Sequence, residues 1–211
     1  MAKRSAPEVN AGSMADIAFL LLIFFLVTTT IEIDSGLNRK LPPIEETEPP
    51  IIKERNIFQL TVNGKNQLFL KANGNDGEVV KLKDLRKKAV AFLDNGGGTG
   101  QDRCEKCKGK RNPQSSDNFQ KAIISLQNDR LTRYDTYIAV QNEIIAAYNE
   151  LRDREFKLAY PNLNMGYVEA DKMYSDPRTS AEDKARLKDK IEAIKVLIPQ
   201  KFSEAEPKKS N

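Results

Sequence analysis

An apolar stretch over residues 9–31 contains only one charged side chain. It includes SMADIAFLLLIFFLV at 13–27, and its single charge is the carboxylate of Asp16. About 23 helical residues, at about 1.5 Å each, span roughly 34 Å, which is enough to cross a bilayer. We therefore predict a single N-terminal transmembrane helix over residues 13–33.

A cleavable signal peptide is the alternative interpretation of this stretch. Lys3 and Arg4 form a positive region ahead of the apolar core, as they would in a signal peptide. Against this, Glu8 and Asp16 interrupt the approach to the core, and TTTIEID, which follows it, lacks a small-residue cleavage site. The sequence favours an uncleaved anchor.

The charges on the two sides of the span predict its orientation. Lys3 and Arg4 precede it, whereas Glu32 and Asp34 follow it. The positive-inside bias then places a tail of residues 1–12 in the cytoplasm and everything after the span on the other side of the membrane.

Asp16 lies about seven residues, or roughly 10 Å of helix, inside the uncharged stretch. An ionised carboxylate at that depth costs at least a few kcal/mol, so such a residue usually faces a partner or water and can exchange a proton. The alternative is that Asp16 lies at the interface and caps the helix N-terminus. The small residues of the lead-in, NAGS at 10–13, favour close packing against other membrane helices.

A Pro-rich linker is predicted over residues 34–55. LNRKLPPIEETEPPIIKER at 37–55 has two Pro-Pro pairs and an acidic cluster. This composition is typical of an extended, semi-rigid spacer.

The remaining residues, 56–211, predict a small α+β domain with helices packed on one face of a β-sheet. IFQLTVN at 57–63 and QLFLKAN at 67–73 indicate a hairpin around a turn that contains Gly64. The other predicted elements are a helix from Leu82 to about Asn95, a strand at 121–128, a helix over Tyr134 to Phe156, a helix from TSAE at 179–182 to Pro199, and a short strand at 201–203.

Composition excludes several functional classes. The 211 residues include no histidine, which removes Ser-His-Asp and Cys-His catalysis and every zinc site that needs histidine. No GxxxxGK[ST] or GxGxxG motif occurs, and GGGTG at 96–100 lies in a loop-like context. The net charge of +4 shows no general basic character of the kind that nucleic-acid binding needs. We predict a protein that is not an enzyme and needs no cofactor.

Cys104 and Cys107, in RCEKCKGK, fall in a Gly- and Cys-containing insert at about 95–118. A structural disulfide is the favoured interpretation if the domain lies in an oxidising compartment. Redox exchange is a second interpretation, supported by the neighbouring cations but not by any thioredoxin-like βαβ context. Zinc would need a second pair of ligands, from carboxylates or from another copy of the chain.

The tail, single span, Pro-rich linker and small α+β domain together resemble the ExbD/TolR family, the membrane-anchored subunits of ion-driven motors. In that family Asn, two residues, Pro, two residues and Asp precede a run of Leu, Ile and Phe. Asn10 and Asp16 match this pattern, whereas Ser13 stands where proline is usual. The resemblance is strongest over 10–31 and 119–156, and the insert and the ending IPQKFSEAEP are most similar to ExbD proteins of the Bacteroidota.

The resemblance implies that Asp16 is the proton-carrying carboxylate of an inner-membrane motor that energises TonB-dependent transport across the outer membrane. It implies two copies of the chain within a ring of ExbB-like subunits, with periplasmic domains that engage a TonB-like protein. A TolR-like role in envelope maintenance uses the same architecture. Two other hypotheses stay open: a passive periplasmic binding or tether protein, and a thiol-disulfide protein that depends on Cys104 and Cys107.

Overall fold

The computed structural model describes residues 11–28, 52–72 and 77–208. The chain divides into two units, Met1–Pro49 and Pro50–Asn211, which are described separately below. The predicted cytoplasmic tail up to residue 10, the last five residues of the predicted span and the predicted linker up to residue 51 lie outside the described residues.

The first unit contains helix α1, Ala11–Thr28. Its long apolar side chains are exposed on every side of the helix, from Met14 to Phe25, so the helix has no polar face on which it could meet water. Near its C-terminal end the hydroxyl of Thr28 donates a hydrogen bond to the carbonyl of Phe24 at 2.7 Å. No helix among the described residues combines the length and the apolar character that crossing a membrane requires.

The second unit is built on a five-stranded mixed sheet. The strands are β1 (Ile57–Val62), β2 (Leu68–Lys71), β3 (Glu78–Val80), β4 (Ile123–Asp129) and β5 (Phe202–Lys208). Their order in the sheet is β3-β2-β1-β4-β5. The β1-β2 and β2-β3 pairs are antiparallel, whereas β4 runs parallel to both β1 and β5. The predicted hairpin and C-terminal strand are therefore present, and β3 was not predicted.

The β1-β2 turn is organised by asparagines. The side-chain oxygen of Asn63 accepts hydrogen bonds from the backbone amides of Lys65 and Gln67, at 3.0 and 2.9 Å. Asn66 takes the left-handed conformation with φ of 62°, which asparagine tolerates better than most residues. The prediction emphasised Gly64, but the left-handed residue of this turn is Asn66.

Helices α2 (Leu82–Leu93) and α3 (Tyr134–Ala159) contribute to one hydrophobic core with one face of the sheet. Alternate strand residues such as Phe58, Leu60 and Leu126 point into this core because strand side chains alternate between faces. The helices add apolar stripes that end in the same core: Leu85, Ala89, Phe92, Val140, Ile144, Ala147, Tyr148 and Leu151. The predicted α+β class is confirmed.

The C-terminal helices form a second core instead of covering the sheet. Helix α4 (Tyr167–Ser175) was not predicted, and α5 (Ala181–Leu197) packs with it against the end of α3. Their shared core contains Phe156, Tyr167, Ala170, Leu187, Ile191 and Ile194. The apolar stripe of the last helix is therefore covered by α3 and α4.

The start of α5 differs by one residue from the TSAE prediction. The N-cap is Ser180, whose hydroxyl oxygen accepts a hydrogen bond from the amide of Asp183 at 3.1 Å. Replacing Ser180 by alanine is expected to lower the free energy of unfolding by about 1 kcal/mol, since it leaves that amide without its cap. Urea unfolding of the purified chain, followed by circular dichroism, measures the change.

Thr179→Ala is the matched control for this prediction. The backbone amide of Thr179 donates to the carbonyl of Asp176, and alanine keeps that bond. We expect little change in stability for this variant. A loss as large as that of Ser180→Ala would contradict the assignment of the cap.

Candidate functional site

Asp16 lies inside α1, five residues after its first described residue. The first turn of the helix carries no acidic side chain, so Asp16 is not the residue that caps its N-terminus. The interpretation of Asp16 as a helix cap is therefore wrong. Its side chain is exposed, and it is the only carboxylate of α1.

On α1, the residue one turn before Asp16 is small, and the residues one turn after it are large and apolar. Gly12 lies one turn before it, whereas Phe19 and Leu20 lie one turn after it. A glycine at this spacing lets another helix backbone approach closely, and the apolar side chains would exclude water around the contact. Asp16 is the only carboxylate that α1 contributes to this surface.

The insert at 95–118 is part of the folded domain. Cys104 and Cys107 are joined by a disulfide, and both residues are buried in the main core. A Cβ atom on Gly96 would lie 2.6 Å from the Cβ of Cys107, and Gly96 has a left-handed φ of 67°. Glycine is therefore required at this position both by the close approach of the disulfide and by the backbone.

Asp94 connects the insert to the two core helices. Its carboxylate accepts hydrogen bonds from Nη1 and Nη2 of Arg154, at 2.6 and 2.9 Å, and from the amide of Lys108 at 3.0 Å. Its carbonyl accepts from the amide of Gly109 at 2.9 Å. The hydrogen bonds to Asp94 raise the pKa of Arg154, consistent with a charged pair at the end of α2.

Two amides of the glycine-rich loop are hydrogen-bonded within the domain. The amide of Gly97 donates to the carbonyl of Ser116 at 2.9 Å, and that of Gly98 donates to the carbonyl of Asp117 at 3.0 Å. A phosphate-binding loop needs such amides free to point at the ligand. The amides of Gly97 and Gly98 are therefore used within the domain.

The disulfide and its burial favour a structural role for the two cysteines. Because the two sulfur atoms are bonded to each other, neither is a thiolate that could hold a metal. Among the described residues, no group of three or more His, Cys, Asp or Glu side chains could hold a metal ion. Both cysteines are buried, whereas redox cysteines are usually partly exposed, so the arrangement is that of a structural disulfide.

Replacing both cysteines by serine is expected to lower the free energy of unfolding by about 2 kcal/mol, since the disulfide closes only a short loop. The hydrogen bonds that Asp94 makes to the insert should keep the domain folded. Denaturant unfolding of the oxidised chain and of the double variant measures the loss. Failure of the double variant to fold would contradict this estimate and give the disulfide a larger part in folding.

Asp117 was not singled out by the sequence. It is fully buried, with Nη2 of Arg55 at 2.7 Å and Nζ of Lys53 at 3.7 Å from its carboxylate. Asn56 completes the site, since its amide nitrogen donates to Asp117 at 3.0 Å and its side-chain oxygen accepts from the Asp117 amide at 2.7 Å. This cluster fastens the first residues of the domain to the insert.

Arg152 was also missed, and it connects the two cores. Its Nε and Nη2 both donate to the carbonyl of Ile198, at 3.0 and 2.8 Å, and its guanidinium carbon lies 5.4 Å from the ring centroid of Tyr167. One turn earlier on α3, the hydroxyl of Tyr148 donates to the carbonyl of Lys201 at 3.1 Å. Because both arginine and tyrosine look like ordinary surface or core residues in the sequence, only the fold shows their role in holding the segment before β5.

The described part of the chain thus combines an apolar helix that carries one carboxylate with an α+β domain that is fastened by buried polar contacts. The family model for the biopolymer transport protein ExbD/TolR matches residues 2–152. The chain therefore belongs to the ExbD/TolR family. No curated protein matches its sequence.

The matched segment ends within α3, so α4, α5 and β5 lie beyond it. Family members are transport-associated proteins of the inner membrane, and they generally work with ExbB and TonB-like partners. Membership thus assigns this chain to biopolymer transport. It does not distinguish an ExbD-like role from a TolR-like one.

Proposed function

We propose that this chain is the ExbD-like subunit of an inner-membrane motor that is driven by the proton-motive force and energises TonB-dependent transport across the outer membrane. The observation that carries the proposal is the position of Asp16, within a helix whose other side chains are uncharged. Family membership supports the transport role. Asp16 is proposed to carry the proton.

The proposed span covers residues 13–33, with the N-terminus in the cytoplasm and the α+β domain in the periplasm. Its support is the apolar surface that α1 exposes all round, which is typical of a helix surrounded by lipid or by other helices. Lys3 and Arg4 before the span, and Glu32 and Asp34 after it, support the orientation.

The small-residue surface at Gly12 supports close packing of α1 against partner helices. We assign that partner to a ring of ExbB-like subunits, with a second copy of this chain inside the same ring. The periplasmic domain would then engage a TonB-like protein. Packing of this kind would place Asp16 at a protein interface, where protonation changes the charge that the ring faces.

Proton movement can supply the work in this proposal. One elementary charge crossing the membrane releases about 2.3 kcal/mol for each 100 mV of potential. Repeated transfers through Asp16 could therefore drive motion without nucleotide hydrolysis. The amides of Gly97 and Gly98, which are hydrogen-bonded within the domain, support a motor that does not bind nucleotide through this loop.

TolR-like envelope maintenance and a passive tether are the alternatives, and deletion of the gene distinguishes them. We expect cells that lack the chain to lose energised uptake through outer-membrane transporters while their envelope stays tight to periplasmic marker proteins. Leakage with normal uptake would favour the TolR-like role. Normal uptake and a tight envelope would contradict both motor roles, and re-expression of the intact chain is the control.

A further inference from the structure

Residues 103–111, RCEKCKGKR, form an exposed and strongly basic loop. Five of its nine residues are cations: Arg103, Lys106, Lys108, Lys110 and Arg111. Glu105 is its only carboxylate, so the loop carries a net charge of +4. All five cationic residues are exposed, whereas Cys104 and Cys107 are buried beneath them. This segment is called the basic loop below.

The fold holds the basic loop in place. The Cys104–Cys107 disulfide closes its first half. In its second half, the amide of Lys108 donates to the Asp94 carboxylate at 3.0 Å, and that of Arg111 donates to the carbonyl of Asn95 at 2.9 Å. The cations are therefore displayed on a fixed backbone, which lowers the entropy lost when they bind a partner.

The charge of the basic loop is not balanced within the domain. Within the described ranges, none of its five cations forms an ion pair, and their side chains make no hydrogen bond. Helix α2 provides the comparison, since it is similarly basic but Arg86 pairs with Glu143 at 2.8 Å and Lys88 with Glu78 at 2.6 Å. The basic loop instead presents its full charge to solvent.

The chemistry of the loop favours a broad anionic surface over a protein partner. Interfaces between proteins are usually centred on aromatic or apolar side chains that fill pockets. The exposed residues of the basic loop are all charged, and Gly109 is half-buried. An array of several cations without a central aromatic or apolar side chain is the pattern that binds anionic phospholipid headgroups.

The linker makes such a surface accessible to the loop. From residue 29 to residue 51 there are 23 residues between α1 and the described part of the domain. At up to about 3.5 Å each, they can span roughly 80 Å. An anchored chain therefore keeps its domain at a high effective concentration near the membrane surface.

We propose that the basic loop docks the domain on the anionic phospholipid headgroups of the membrane in which the chain is anchored. The inference rests on the anchoring proposed above. Its electrostatic basis makes docking sensitive to salt and to the charge of the lipid. Asp94 and the disulfide would act as positioning groups that keep the cations on one surface.

Photo-crosslinking of the full-length chain in lipid nanodiscs tests the proposal. A benzoylphenylalanine at exposed position Gln101, two residues before the loop, would report what lies against it. We expect lipid adducts in discs that contain phosphatidylglycerol and few in discs of phosphatidylcholine alone. Lys106→Gln with Lys110→Gln should weaken docking about 25-fold, at about five-fold for each cation removed.

Lys83→Gln with Lys87→Gln is the matched control, because it removes two exposed cations from α2 of the same domain. It should leave the adducts unchanged. A second loop pair, Arg103→Gln with Arg111→Gln, should repeat the loss and so guards against a folding defect in one variant. Raising the salt concentration should also reduce the adducts.

Four results would overturn the proposal. Equal adducts in neutral and anionic lipid, or adducts that survive both loop variants, would show that the cations do not select headgroups. Adducts to a second protein chain in place of lipid would show an acidic protein partner. Failure of the chain to enter nanodiscs would refute the anchoring itself. It can be told from a failure of docking, because no chain would then co-purify with the discs.

Discussion

Replacing Asp16 by asparagine is expected to abolish energised outer-membrane uptake while the chain stays folded, in the membrane and bound to its partners. Asparagine keeps the size and polarity of the side chain but cannot exchange a proton in the physiological range. Because Asp16 is the only titratable group of α1, no neighbour on the helix can replace it. Uptake in cells that carry either form, with protein level and partner co-purification measured alongside, gives the result.

Asp16→Glu is the matched control for that experiment. It retains a titratable carboxyl group and lengthens the side chain by one methylene. We expect partial uptake, because the proton can still be exchanged from a displaced position. Full uptake with asparagine would remove Asp16 from the mechanism and favour the passive tether.

Replacing Asp117 by alanine should give the largest loss of stability among the polar residues of the domain, about 3 kcal/mol. The change leaves Arg55 without the carboxylate 2.7 Å away and removes the acceptor for the side-chain amide of Asn56. Breaking a buried ion pair from one side costs roughly 3–5 kcal/mol, and the partial exposure of Arg55 places this one at the lower end. Denaturant unfolding of the purified chain measures it.

Asp102→Ala is the control, since Asp102 belongs to the same insert and also pairs with two cations, Lys53 and Lys121. It is more exposed, so its ion pairs should contribute little. Hydrogen bonds from Lys121 and Lys53 lower the pKa of Asp102 below its ordinary value of 3.8. The contribution of Asp102 to the free energy of unfolding is therefore fully present above pH 3.8 and is lost as the pH falls through the lowered pKa. Equal losses for the two variants at neutral pH would contradict the special role of Asp117.

The elements with strong periodicity could be predicted from the sequence. The β1-β2 hairpin follows from alternating apolar residues around a turn, and α2 and α3 follow from apolar side chains at three- and four-residue steps. Each of these patterns reflects burial on one face, which the core confirms. The C-terminal strand was predicted too short, because its residues after Ser203 are polar or small and show no alternation.

The elements that were missed lack such a pattern. Strand β3 has three residues, of which only Val80 is buried, so it offers no alternation to detect. Helix α4 has nine residues and follows Pro161 and the left-handed Asn164, which together indicate a loop. Its burial depends on α3 and α5, and this tertiary packing is not visible in local sequence.

The polar residues likewise divide into those with a local sequence pattern and those without one. Asp16 could be found because a charge within an apolar stretch is conspicuous in any sequence. Asp117 and Arg152 could not, because the partners of Asp117 lie 61–64 residues away along the chain and those of Arg152 lie 15 and 46 residues away. Long-range polar pairing of this kind leaves no local pattern. The basic loop was visible as a run of cations, but its lack of ion-pair partners required the fold.

Proton flux through the reconstituted motor shows whether the carboxylate of Asp16 carries the proton. The chain would be co-purified with its ring partner, sealed into vesicles that contain a pH-sensitive dye and given a membrane potential. We expect proton entry for the wild-type chain and only the leak of protein-free vesicles for Asp16→Asn. Undiminished proton entry with the asparagine variant would contradict this expectation, because protons would then cross without the carboxylate of Asp16.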